Sequence, residues 1–174
     1  MTLPKTGLVL VVFVALTAGC GGASGTTAAT TASTDTPASS TRATASTLKA
    51  SVRTAIAANL KLSIYVLWRN EIPSWATRST RGPALKALRD AAATRRQQGI
   101  QIKNLSGRQK VVSITLAPSY ATATAVIRDH RKVAPYKSGH RLGRAIVGDE
   151  HSRLELHRIG NTKRFVVWRV SPIQ

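Results

Sequence analysis

Three regimes of polarity follow one another along this chain. Residues 8–16, LVLVVFVAL, are unbroken apolar sequence, and residues 23–47, ASGTTAATTASTDTPASSTRATAST, contain no Leu, Ile, Val or aromatic residue. From Leu48 onward, apolar and polar positions recur with regular periods. Leu48, Val52, Ile56, Leu60 and Ile64 return every fourth residue, with Ala55 and Leu67 on the same side. That spacing predicts one long amphipathic helix through about Asn70. Pro73 in EIPSW starts a short helical turn carrying Trp75. Pro83 then opens a second helix to about Gln98, with Leu85, Leu88 and Ala92 on one side. Proline suits the first helical position, and Gly99 supplies the stop.

After Gly99 the period changes to two. IQIKNL alternates, and Val112, Ile114 and Leu116 share a face in KVVSITL. Pro118-Ser119 turns the chain into YATATAVIRDH, where Ala121, Ala123, Ala125 and Ile127 alternate with Tyr120, Thr122, Thr124 and Val126. SRLELHRI and RFVVWRV flank Gly160-Asn161, a short hairpin connection. The Gly- and charge-rich segment 133–149 reads as a long loop or irregular strand. Helices followed by an antiparallel meander predict an α+β domain over 48–174, with the helices on one face of a curved sheet.

The first two regimes bear on location. Lys5 is the only charge before Cys20, and the apolar run after it is far shorter than the roughly 20 residues that a membrane span needs. Residues 1–19 therefore read as a secretory signal peptide. In residues 23–47, 21 of 25 residues are Ala, Ser or Thr, so the segment has nothing to bury and is expected to be disordered. Cys20 is the single cysteine, so the chain folds without an intramolecular disulfide.

Leu16-Thr17-Ala18-Gly19-Cys20 resembles a bacterial lipobox, departing from it at Thr17, where leucine is usual. The resemblance implies that Cys20 becomes the acylated N-terminus, with 20–47 as a tether. The protein would then be lipid-anchored at the extracytoplasmic face of the cell membrane, held by at least two acyl chains without spanning it. The order of elements in 48–174 resembles the NTF2-like (SnoaL-like) cone. It is most similar to actinobacterial lipoproteins that place such a domain behind a Thr-rich tether. PSWATRSTRGPALKAL, TATAVIRD and FVVWRV carry that likeness, and Mce-associated domains and periplasmic domains of the VirB8 type are related. The resemblance implies a non-catalytic binding or accessory module at the envelope. Its rival is a SnoaL-like enzyme of the isomerase or cyclase type with a small-molecule pocket.

Charge sharpens the question of partners. Residues 48–174 carry 24 Lys and Arg against 6 Asp and Glu, a net +18. The densest run holds Arg128, Arg131, Lys132, Lys137, Arg141 and Arg144, which makes it the candidate polyanion site, for anionic lipid or wall polymer. A partner envelope protein is a further candidate. Nucleic acid is not expected, since an exported domain seldom meets it and no nucleic-acid signature is present.

Catalytic chemistry is thinly represented. Asp129 and His130 are strand neighbours and so point to opposite faces. His151, Glu155 and His157 share a parity but stand ~7 Å apart along a strand, too dispersed for the convergent ligands zinc requires. Asp149-Glu150 reads as a turn cap. No Gly-rich phosphate loop or nucleophile triad occurs. The sequence therefore implies no metal, cofactor or assigned catalytic residue. A carboxylate buried against Tyr65 or Tyr136 would restore the enzymatic reading. Trp68, Trp75 and Trp168 lie beside periodic apolar positions and are expected in the core.

Overall fold

In the computed structural model, residues 38–173 are described. The expected signal peptide, Cys20 and the expected tether up to residue 37 lie outside them. Helix α1 runs over Ala38–Arg69 and helix α2 over Gly82–Gln98, with a short 3-10 turn at Ala76–Arg78 between them. Five strands follow: β1 (Ile100–Leu116), β2 (Thr122–Lys137), β3 (His140–Arg141), β4 (Ile146–Arg158) and β5 (Phe165–Pro172). The antiparallel sheet has the order β1-β2-β4-β5, with β3 paired to the far end of β2. The architecture is α+β, as the pattern predicts.

Two boundaries differ from the sequence expectation. Helix α1 begins ten residues ahead of Leu48, inside the segment expected to be disordered. Adding residues to a helix already held by packing needs no new nucleus, so even this Ser- and Thr-rich stretch continues it. The expected loop at 133–149 is mostly strand: β2 continues to Lys137 and β4 begins at Ile146. Pro135 fits there because it falls between the last β4 pairing, at Val133, and the first β3 pairing, at Tyr136. Its missing N–H breaks no ladder on that side.

IQIKNL and KVVSITL are one continuous strand with two bulges. At the second, Val111 pairs with Ile127 and Ser113 with Val126, so Val112 has no partner. The extra residue shifts the parity. Val111, Ile114 and Leu116 pack on the core, while Val112 is 56% exposed rather than sharing their face.

The core lies between the helices and one face of the sheet. Leu48, Val52 and Ile56 of α1 meet Ala123, Ala125, Ile127, Leu154, Leu156, Phe165 and Val167. The second half of α1 builds a smaller cluster, Leu62 and Val66 with Ala76, Leu85 and Ala92. The chain between the helices is stitched to the sheet edge. Arg81 N–H donates to the Val167 carbonyl at 2.9 Å, and Val167 N–H donates to Ser79 at 2.8 Å. Gly82 follows at φ +54, and a Cβ there would stand 2.6 Å from the Trp168 ring, so neither the backbone nor the space admits a side chain.

Asn70 joins three elements at the end of α1. Its φ of 55 lies in the left-handed region that asparagine tolerates best after glycine. Buried to 5% exposure, it donates from Nδ2 to the Ile100 carbonyl at 2.6 Å. Its Oδ1 accepts from Arg95 Nε at 3.0 Å, and its carbonyl accepts from the Arg96 guanidinium at 2.5 Å. The ends of α1 and α2 and the start of β1 are thereby tied to one residue. Asn70→Ala adds left-handed strain to two lost hydrogen bonds and is expected to cost about 2–4 kcal/mol, against about 1–2 for Asn70→Gly, which keeps the backbone permissive. Urea midpoints at constant m measure both. Equal midpoints for the two variants would contradict the role of the backbone conformation.

Candidate functional site

The inward positions of β2 change character along the strand. Ala123, Ala125 and Ile127 are buried apolar residues, and Asp129 and Arg131 come next on the same face. Register places Gln109, Asp129 and Glu150 in one row across β1, β2 and β4. In the next row Arg131 stands between Gly107 and Gly148. A Cβ on Gly107 would lie 2.6 Å from Arg131 Cγ, so the glycine makes room for the arginine stem. Arg131 donates to Asp129 through Nε at 3.1 Å and through a second, closer guanidinium contact. Both side chains are only 17–18% exposed.

With Asn59, Leu60 and Ser63 of α1 and Leu88 of α2, these residues line a cavity of about 70 Å³. Small-molecule sites usually measure roughly 300–1,000 Å³, so this one has room for a few waters and not for a metabolite. Of its two carboxylates, Asp129 is engaged in a two-pronged ion pair and Glu150 sits exposed at the rim, and no histidine lines it. Asp129 points into the groove and His130 points out of it, so the two do not act as a pair.

Tyr65 Oη donates to Glu71, an exposed carboxylate, while Tyr136 lies edge-on to Trp68 with centroids 5.9 Å apart. The hydrogen bond to Glu71 raises the Tyr65 hydroxyl above its ordinary value, away from the range of a base at neutral pH. His157 accepts or donates at 2.6 Å to Glu155 and stacks on Trp168 at 4.7 Å. His151 stands two strand steps back from Glu155 and makes no third ligand. Among the described residues no three His, Cys, Asp or Glu side chains group closely enough to hold a metal. Trp75 packs on the second cluster and edge-on to Tyr65.

The six basic residues of the densest run are scattered by the fold. Arg128 and Lys132 stand on the outer face of β2, the face turned away from both helices. Arg131 faces inward to Asp129, while Lys137, Arg141 and Arg144 sit around β3 at one end of the sheet. Arg128 is itself committed, donating to Asp149 at 2.9 and 2.5 Å. That contact holds the Asp149 carboxyl below its usual range.

The outer face nevertheless gathers charge that the linear run does not contain. Lys110, Arg128 and His151 form one cross-strand row, and Arg108, His130 and Asp149 form the next. Arg153 and Arg169 extend the face onto β4 and β5. Counting charge by segment misses them, because only strand register brings β1, β4 and β5 alongside β2. Period-two parity measured from Leu154 is the signal that would have selected His151 and Arg153, whereas the bulges in β1 and β5 shift the parity at Arg108, Lys110 and Arg169.

No family model and no curated protein matches the chain. Among solved structures, the intermembrane-space region of the chloroplast protein ARC6 is similar at 14% identity, with a TM-score of 0.56. The match covers 80% of this chain and 98% of that one, and at this identity it shows a shared fold. No helix among the described residues is long and apolar enough to cross a membrane.

The tyrosine geometry is checked by ultraviolet titration. Tyr65 is expected to ionise above the ordinary tyrosine range, and Glu71→Ala is expected to lower its titration, since the Glu71 hydrogen bond is the main cause of its shift. An unchanged titration in Glu71→Ala would refute the contact.

Proposed function

We propose that this chain is an extracytoplasmic lipoprotein whose NTF2-like cone domain serves as a non-catalytic binding or accessory module at the cell envelope. The inner groove carries this reading: a cavity of about 70 Å³ is small for a substrate, and its central carboxylate, Asp129, is locked to Arg131, leaving Glu150 at the exposed rim as its other acid. Two helices on one face of a curved antiparallel sheet fit the cone. The likeness to an intermembrane-space region supports an envelope setting for the fold.

Anchoring rests on the sequence LTAGC behind the apolar run Leu8–Leu16. Acylation of Cys20 would tie the domain to the outer face of the cytoplasmic membrane. Ala38, where α1 begins, is 18 residues beyond Cys20, so the connection reaches at most roughly 60 Å. The domain thus works close to the lipid surface, where anionic lipid, wall polymer or a partner envelope protein is within range. The competing enzymatic reading has Asp129 as its only inward acid in the groove row besides Glu150 at the rim.

Metabolic labelling with a palmitate analogue tests the anchor. The wild-type chain is expected to take up label and to stay with membranes through a high-salt wash. Cys20→Ser is expected to lose the label and to wash off. Equal labelling of the two proteins would sink the lipoprotein reading. Native mass spectrometry of the purified protein tests the groove, which is expected to release no co-purified small molecule.

A further inference from the structure

From the outer face of the sheet we infer a docking surface for an anionic lipid bilayer, a reading that rests on the envelope module proposed above and gives it a ligand. In each register row, paired residues point to the same side, and successive rows on one face are two residues apart. The outward positions run from Thr122 to Lys132 on β2 and from Val147 to His157 on β4, with Arg108, Lys110, Ser113 and Thr115 on β1 and Arg169 and Ser171 on β5. All of these are at least partly exposed, whereas Val166, paired with His157 near the start of β5, is buried. Neither helix covers this side, since both pack against the apolar residues of the opposite face.

Five cations on that face, Arg108, Lys110, Lys132, Arg153 and Arg169, have no carboxylate within ion-pair distance among the described residues. The two acids there are already engaged, Asp149 with Arg128 and Glu155 with His157. The unneutralised charge is therefore all positive. Aliphatic side chains stand beside it: Val147 is 59% exposed next to Lys132, and Val112 is 56% exposed in the bulge between Lys110 and Ser113.

The arrangement selects among polyanions by shape. The cations spread in two dimensions, about 14 Å across four strands and roughly 27 Å along β2. A linear polymer is tracked by a line or channel of charge, whereas a two-dimensional spread of cations with exposed aliphatic tips matches a plane of phosphate head groups with acyl chains beneath. A second copy is disfavoured as occupant, because two such faces would bring like charges together. The short connection to Cys20 keeps the face within reach of the membrane.

The test uses the full chain carrying Cys20→Ser, so that acyl chains contribute nothing and failure here is separable from failure of the anchor. Sedimentation is measured with phosphatidylglycerol-containing vesicles, with phosphatidylcholine vesicles and with a soluble polyphosphate chain, over a salt series. The parent is expected to bind only the anionic vesicles, and less as salt rises. Changing the five cations to Gln is expected to lower partitioning about tenfold or more, while Lys49, Arg53, Lys61, Arg78 and Arg89 changed to Gln lower it about twofold at most. Ser113→Glu with Thr124→Glu, which adds carboxylates to the same exposed face, is expected to weaken binding likewise and guards against a folding defect in the first variant. Equal losses for the two five-residue variants would overturn the inference, as would tighter binding of polyphosphate than of vesicles.

Discussion

The fold depends on how α1 sits over the sheet, with its backbone close to β1 and β5 and its apolar side chains packed over the alanines of β2. Ala123 and Ala125 are exposed by 3% and 0%, and against them lie Leu48, Val52 and Ile56 of α1, none above 2%. Alanine at these strand positions lets the helix side chains reach past β2 to Leu154, Leu156, Phe165 and Val167 on the neighbouring strands. Larger residues would hold the helix off and open voids on both sides, and tight cores tolerate neither. With its first half seated on the sheet, the second half of α1 is free to receive α2 through Leu62 and Val66. Asn70 then fixes the joint between the helices and β1.

Seating both helices on one side makes the sheet two-faced. Strand residues alternate, so every buried position on β2 and β4 forces its neighbours outward. The inner face is apolar where α1 lies close and becomes ionic where the cleft opens, at Asp129 and Arg131. There the two charges neutralise each other and leave little space. The outer face receives most of the remaining sheet charge, and its imbalance cannot be corrected from within, because its two carboxylates are already paired. The same alternation that builds the core thus displays the cations, and the binding reading follows from the packing.

The sequence was most legible where a signal is local. Pro83 and Gly99 mark the ends of α2 to within a residue or two, and Gly99 takes the left-handed cap expected of it, with φ 68. The four-residue apolar repeat marks the buried face of α1 at Leu48, Val52 and Ile56, but farther along Leu62 and Val66 are buried while Leu60 and Ile64 stay part-exposed. Legibility failed where the answer lies in another strand. The bulge that turns Val112 outward is a property of the β1–β2 register, and nothing in KVVSITL announces it. The stretch 133–149 reads as loop from its glycines and charges, yet its ladder partners on β1, β2 and β4 make much of it strand. The basic run from Arg128 to Arg144 is compact in sequence and scattered in space, whereas Arg108, Arg153 and Arg169 are distant in sequence and share a face.

Cysteine accessibility along β2 tests this two-sided sheet most directly. In a Cys20→Ser background, single cysteines replace each residue from Ala123 to Lys132 in turn, and their rates of reaction with a charged thiol reagent are compared. The account predicts fast reaction at 124, 126, 128, 130 and 132 and strong protection at 123, 125 and 127. Uniform rates, or protection of the even positions in the folded chain, would mean that the outer face is covered and would contradict it.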